Sequence, residues 1–505
     1  TLVVAENINN LGGLIQGDST GLQARTDINN FGGVLKGSSA LAALAGRDIN
    51  VITATRTAES ADGNFARTRL DRIAGIYVDK GDGTLALQAG RDINLTAAQV
   101  VNSSENGNTA IIAGRDLNLN AVTTGSRDNL NFDSDNWLHQ SSSTQRGTEI
   151  VSKGNVGLAA GNNLLATAAD INAGGKLALS AVNDLRIVGG ESRTQMDEHT
   201  KASGSSGIAS KTTRETHTTI DARKTVGSAL SGDSVQLLAG HDLLVKGSDV
   251  VGTQEVRLAA GNNLTVTTAA EQRDESRMIQ VNKSGLSGTG GIGVSYGSTA
   301  QKSTTKTHTD SVRGSTVGSV LGNLTMQAGN DLLVHGSDAI AGKDLSLVGK
   351  NVTVSAAEQG LSQRDTYETK QSGLTLALSG VAGSALNTAV TSAKDARDES
   401  NGRLQALKGV QAALSGVQAA QATQPGAASS DNAIGVSLSY GSQQSKSETN
   451  LTQKTHQGST LTAGNSLNVI ASSGDINVQG SQLQAGNDVL LNASRDINLT
   501  SSQET

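Results

Sequence analysis

The sequence predicts a mainly β protein: a right-handed parallel β-helix of about 20-residue coils, with antiparallel β-hairpin excursions and one inserted helical segment. Three observations predict it. A seven-residue phrase, AGRDINL at 89–95, returns as AGRDINV at 45, AGRDLNL at 113, AGHDLLV at 239, AGNNLTV at 260, AGNDLLV at 328 and AGNDVLL at 485. Whole units align at a period of 20, with 154–173 matching 174–193, 232–251 matching 252–271, and 322–341 matching 342–361. The third observation is composition. A chain of 505 residues with sixty Gly, one Pro and eight aromatics (three Phe, one Trp, four Tyr) cannot furnish several ordinary globular cores, so Val, Ile, Leu and Ala must be what is buried.

Within a unit the aliphatic residues alternate in short bursts, such as Val235 and Leu237, then Leu243 and Val245, then Val250, separated by Gly, Asn, Asp and Ser. Three bursts and three corners make one coil. About five aliphatic side chains per coil recover far less free energy than ordering its backbone costs, so a coil folds only as part of a stack. In eleven copies of the phrase the fifth position is aliphatic (Ile49, Ile93, Leu117, Leu164, Leu177, Leu243, Leu264, Leu332, Leu345, Leu467, Val489). The seventh is aliphatic in ten, with Ala166 the exception. Both positions are expected to face the core. The Gly is expected at a corner that favours positive φ, and the Asp or Asn at the fourth position is expected to bond backbone amides just ahead. One Asp per 20 residues supplies too few oxygens for calcium, and no tandem GGxGxDxUx repeat occurs.

Residues 1–190 read as β-helix and 191–505 as paired coils (232–271, 322–361, 462–500) alternating with excursions rich in Ser, Thr, Lys, Glu and Gln (191–231, 271–320, 358–461). Inside the excursions Ile292, Val294 and Tyr296, then Leu374, Leu376 and Leu378, then Val436, Leu438 and Tyr440 alternate with small or polar residues. That is strand periodicity long enough for hairpins; packing of these hairpins against each other or the rod is one reading of the residues, and membrane or partner contact the other. The third excursion also holds an Ala-rich stretch, 384–422, in which Leu407, Val410, Leu414 and Val417 step by three and four, the pattern of a helical insertion.

Dispersed Lys and Arg with a formal charge of -6 offer no nucleic-acid footprint. Zero Cys excludes disulfides, zinc thiolates and a thiol nucleophile. The repeated Asp residues recur identically from coil to coil instead of forming one unique acid and base cluster, so neither an enzyme nor a cofactor is expected. His217, His308 and His456 hold comparable places in the three excursions; metal ligation and a pH switch are weighed against solvated strand positions, and the last is the reading taken. Trp137, the lone Trp, is expected in a loop packed on the helix edge rather than as a partner anchor. No apolar run reaches the length of a membrane-spanning helix, and a start at Thr1 reads as a piece of something longer.

ENINNLGGLIQG (6–17) and TDINNFGGVLKG (26–37) resemble the first class of filamentous-haemagglutinin repeats, and the AGNDLLVHGSD and AGNNLTV units with their excursions resemble the second. The order, first class then second, is similar to that in contact-dependent growth-inhibition exoproteins. The resemblance implies a structural and delivery segment of a large secreted filament that carries toxin into neighbouring bacteria; the alternative it leaves open is an adhesin region for a receptor or glycan. It further implies secretion to the surface of a Gram-negative bacterium by an outer-membrane two-partner transporter, through an N-terminal domain not identifiable in this sequence. The outer membrane or a receptor of the target cell is the other implied partner.

Overall fold

A computed structural model describes residues 1–80, 83–205, 210–288, 294–378 and 436–502, and all regular structure among them is β. The Ala-rich stretch 384–422 and Ile292 lie outside the described residues. The chain forms a parallel β-helix of three strand ladders. One ladder is a separate sheet of 13 parallel strands, so 13 coils are stacked; the other two merge into a 23-stranded sheet through long strands such as Leu14–Ala24 and Val34–Ala45 that run round a corner. At about 4.8 Å per coil the stack is roughly 60 Å long.

The reason for the period is visible along the 13-stranded sheet. Parallel register places Ile8, Ile28, Ile49, Ile93, Leu117, Leu164, Leu185, Leu243, Leu264, Leu332, Val352, Ile476 and Ile497 one above another. Two further inward columns run through Ile76, Val100, Ile150 and Ile171 and through Leu87, Ile111, Leu158 and Leu179. Together they form one continuous aliphatic core. Of the phrase residues, Ile49, Ile93, Leu117, Leu164, Leu177, Leu243, Leu264, Leu332, Leu345 and Leu467 are buried in it. Val489 pairs in register with Leu467 but is 47% exposed, because it belongs to the last coil and no described coil covers its inner face.

The phrase serves two different corners. Ile49, Ile93, Leu117, Leu164, Leu243, Leu264 and Leu332 stand first or second in strands of the 13-stranded sheet, whereas Leu177, Leu345, Leu467 and Val489 stand first or second in strands of the 23-stranded one.

Five antiparallel hairpins leave the stack: Ala54–Glu59 with Phe65–Arg72, Val122–Asp133 with Asn136–Arg146, Gly190–Ser205 with Ser210–Val226, Ala269–Gly288 with Val294–Arg313, and Ala357–Leu378 with Val436–Gln457. The last three fall in the expected excursions. The first two lie within 1–190, where uninterrupted coils are expected, and their strands are mostly polar, with Leu130 and Leu138 paired across the second. A hairpin leaves after the third, fifth, seventh, ninth and eleventh strand of the 13-stranded sheet, that is, after every second coil. Strand lengths grow along the chain from 6 and 8 residues to 22 and 22. All five join in one ten-stranded antiparallel sheet, since each hairpin's closing strand pairs with the next one's opening strand. The molecule is therefore a rod with a widening fin, whose longest strands have an extended reach of about 75 Å.

Replacing Leu243 or Leu332 by Asp is expected to place an unpaired charge in the aliphatic column and lower stability by several kcal/mol, on the order of 3 or more. Thermal melting followed by circular dichroism checks this; two unshifted melts would reject the inward assignment.

Candidate functional site

The surfaces that organise the molecule are the corners of the coil and the fin. At the phrase corner the Asp carboxylate does not bond amides just ahead. Asp48 Oδ1 accepts from the amide of Asp92, Asp92 Oδ1 from that of Asp116, Asp116 Oδ1 from that of Asn163, and Asp242 Oδ1 from that of Asn263. Each bond runs to the same position one coil further on, at 44, 24, 47 and 21 residues in the chain. The residue before the Asp or Asn of the following level completes the rung: Arg47 donates to Asp27, Arg91 to Asp48, Arg115 to Asp92, and Asn262 to Asp242. The guanidinium bonds from Arg47 and Arg115 hold the carboxyls of Asp27 and Asp92 below the usual Asp range against the opposing effect of burial.

Corner glycines keep negative φ, contrary to the expectation; they are needed for close approach. A Cβ on Gly114 would sit 2.2 Å from the carbonyl oxygen of Gly90, and one on Gly261 would sit 2.0 Å from that of Gly240. Asp184, His241 and Asp242 lie close enough together to resemble a metal site. His241 occupies the place Arg holds in other rungs, donating from Nδ1 to Asp184 at 3.1 Å, while Arg186 bonds the other oxygen of Asp184. The group is one more rung.

A second corner, missed in the sequence reading, governs where hairpins leave. Ser228, Ser248, Ser315, Ser337 and Ser459 are buried and form an axial ladder in which the amide of each donates to the hydroxyl of the next at 3.1–3.2 Å, ending on Ser481. Each Ser follows Gly. In Gly247-Ser248, Gly336-Ser337 and Gly480-Ser481 the chain passes straight from one strand to the next, and these glycines have φ of +54°, +53° and +55°. In Gly227-Ser228, Gly314-Ser315 and Gly458-Ser459 the chain has just returned from a hairpin and re-enters the same ladder, with no left-handed glycine. A hairpin is thus a detour at a fixed corner. The recurring GSD at 247 and 336 was its visible trace. Asp249 is buried and paired with Arg313, the last residue of the fourth hairpin, at 2.7 Å, which ties that hairpin to the rod.

On the fin the histidines are not simply solvated. His217 Nε2 bonds Asp197 across the third hairpin at 2.8 Å, His308 Nδ1 bonds Asp274 across the fourth at 2.6 Å, and His456 stands opposite Glu358 in the fifth. Trp137 is on a strand, not in a loop at the helix edge: it stacks on His199 with ring centroids 4.3 Å apart, joining hairpins two and three. His199 is 8% exposed and meets acceptors at both ring nitrogens, the Asp135 carbonyl and Glu215. His308 does the same with Asp274 and Asp310. A neutral imidazole has one N–H, so two acceptors favour the cation. For His199 burial opposes the charge but the bonds outweigh it; for His308 the Asp274 bond dominates; both are raised above the ordinary His value.

At the far end of the fin, backbone register puts Tyr296 opposite Leu374 and Leu374 opposite Tyr440, with Leu376 opposite Leu438 and Leu378 opposite Val436. Val294 stands opposite Gly288. The candidate contact residues thus gather in adjoining cross-strand rows. An open concavity of about 850 Å³ crosses the fin nearer the rod, with Arg127, Asp221, Asp274, His308 and Arg364 among its lining. Among the described residues no helix is long and apolar enough to cross a membrane, which says nothing of strands.

A parallel β-helix with axial Asx and Ser ladders and a hairpin at every second coil defines a repeat protein whose surfaces recur along the stack. The hemagglutinin repeat matches residues 132–217, 209–374, 294–413 and 438–505, and the chain belongs to that family. It is 42% identical over 370 residues to a 16S rRNA endonuclease CdiA of Enterobacter cloacae, covering 72% of this chain and 11% of that protein. It is 38% identical over 397 residues to a Toxin CdiA of Escherichia coli, covering 76% and 12%, and 51% identical over 280 residues to a Deoxyribonuclease CdiA of Yersinia pseudotuberculosis, covering 54% and 26%. The chain spans about a tenth to a quarter of these relatives. No solved structure matches it.

Ser315→Ala removes the acceptor of the buried Ser248 amide and is expected to cost about 1–3 kcal/mol, read as a lowered unfolding midpoint. For the fin, a raised folded-state pKa contributes stability that is fully present below the unfolded value of about 6.5 and is lost as pH rises through the folded value. Hydrogen exchange in hairpins three and four, corrected for intrinsic rates, should therefore show stronger protection at pH 6 than at pH 8. His199→Gln with His308→Gln should flatten the difference, and a pH-independent wild type would refute the assignment.

Proposed function

We propose that this chain is a structural and delivery segment of a large secreted exoprotein, a rod that carries a toxin into neighbouring bacteria by contact-dependent growth inhibition. The observation that carries the reading is the family membership of a continuous 13-coil stack whose relatives are named as toxins and nucleases while sharing with it only a small part of their length. The repeated carboxylates support a role without catalysis in this segment, since the corner Asp residues are engaged in axial rungs. Its setting is the surface of a Gram-negative cell, reached through an outer-membrane two-partner transporter, with the outer membrane or a receptor of the target cell as the second partner. The adjoining rows of Val294, Tyr296, Leu374, Leu376, Leu378, Val436, Leu438 and Tyr440 at the fin's far end support membrane or partner contact there.

A co-culture assay tests this in a toxin-bearing relative whose matching segment is exchanged for this chain. Growth inhibition should survive the exchange. Deleting one hairpin with its two coils (269–356), or changing Val294, Leu376 and Val436 to Asp, should abolish inhibition while leaving secretion and cell attachment intact. Loss of attachment instead would favour the adhesin reading, and full inhibition by every variant would reject both.

A further inference from the structure

The fin is creased along one line. Gly285, Gly297, Gly373 and Gly441 stand directly opposite one another across the four strands of the fourth and fifth hairpins. All four have positive φ, at +102°, +154°, +119° and +136°. An antiparallel strand ordinarily holds about −140°. The positive region is closed to residues that carry a Cβ but open to Gly, which passes between it and the ordinary extended region without a steric barrier. Pairing nevertheless runs through the row with no shift of register at any of the three strand pairs. Each strand can therefore change direction at its Gly while the ladder on either side stays paired, and glycines aligned across a sheet concentrate its curvature in one line.

Lateral support and chemistry both change at this line. The closing strand of the third hairpin begins at Ser210, opposite Gly285, and among the described residues no strand of that hairpin flanks 286–288. On the rod side of the row the next residues are Ser284, Ser298, Ser372 and Ser442, again opposite one another; on the far side they are Leu286, Tyr296, Leu374 and Tyr440. We propose that the glycine row is a hinge, about which the far ends of the fourth and fifth hairpins swing as one flap against the rest of the fin. The flap carries the apolar rows and the remainder of the fin the polar ones, so the swing sets the angle at which the apolar rows are presented. As a regulation of the contact proposed for that end, the hinge rests on that reading; as a motion, it is measured without any target cell.

The 505-residue chain contains no Cys, so pairs of nitroxide labels on introduced Cys residues carry no background. One pair, Ser439→Cys with Thr449→Cys, crosses the row at Gly441; the other, Ser445→Cys with Thr455→Cys, lies wholly on the rod side of the same strand. Each pair spans about 33 Å of strand, within the range of double electron–electron resonance. The rod-side pair should give one narrow distance distribution. The crossing pair should give one at least about twice as wide that extends to shorter distances, since bending shortens the chord. Gly441→Ala is the most direct variant, because a Cβ there meets nothing within 4 Å and removes only the access to positive φ. It should narrow the crossing distribution and move it to longer distances, and adding Gly373→Ala should narrow it further. The rod-side distance and the melting of the coils should not change, and Ser442→Ala, beside the row, should keep the full breadth. A crossing pair as narrow as the rod-side pair before any Gly is replaced would overturn the hinge, as would a breadth that Gly441→Ala does not reduce. Since no target cell enters the measurement, a failed hinge leaves the contact reading intact, and a failed growth-inhibition assay leaves the hinge intact.

Discussion

The stack depends on axial completion: the core faces and ladder groups that one coil leaves open are met by its neighbouring coils. The aliphatic column through Ile49, Ile93 and Leu117 is closed above and below by its own kind. The Asp92 carboxylate meets an amide of the following coil and a guanidinium from the same level, and Ser248 meets Ser315. Parallel strands cannot bond within their own turn, so a coil in isolation would expose its ladder groups as well as its core. This is why the same seven residues are written repeatedly. Each position has to match its copy in the neighbouring level.

The same constraint explains how large detours are tolerated. Val352 and Ile476 stand 124 residues apart in the chain, with the fifth hairpin between them, and still pair in register with the rung intact. Loop closure grows only slowly in cost with length, and the stack supplies a preformed surface to return to. The Gly-Ser corner accommodates both routes, since each buried hydroxyl accepts from the amide of the Ser one level back, whether its own chain came from the adjoining strand or from a hairpin. Placing a hairpin at every second corner sets successive hairpins two levels apart, about 9.6 Å, which is the width of the two strands each one contributes to the fin. Rod and fin therefore advance in step.

The stacked coils supply length, and the fin carries a set of His and carboxylate pairs across its hairpins. Asp249 paired with Arg313 shows that the two parts are fastened through buried charge at the base, where the pair is shielded from solvent. The relatives' names attach to proteins roughly four to nine times the matched length.

The sequence by itself determined the coil period, the inward positions of the phrase and the alternation of coils with hairpins from residue 190 onward. All of these follow from patterns local in the chain: alternation within a strand, and repetition at 20 residues. The two early hairpins were legible only indirectly, as spacings of 44 between Ile49 and Ile93 and 47 between Leu117 and Leu164 where a bare coil takes 20 to 24. Their strands, ATRTAE and FARTRLDR among them, lack the aliphatic alternation that marks a buried face. Tertiary structure alone decided which of two corners each phrase occupies, that Asp bonds the next level instead of the next residue, that Trp137 stacks on His199, and that five separate hairpins form one sheet. The physical reason is that each of these is a contact between levels, and the chain distance between levels varies from 20 to 124 residues with the detour between them.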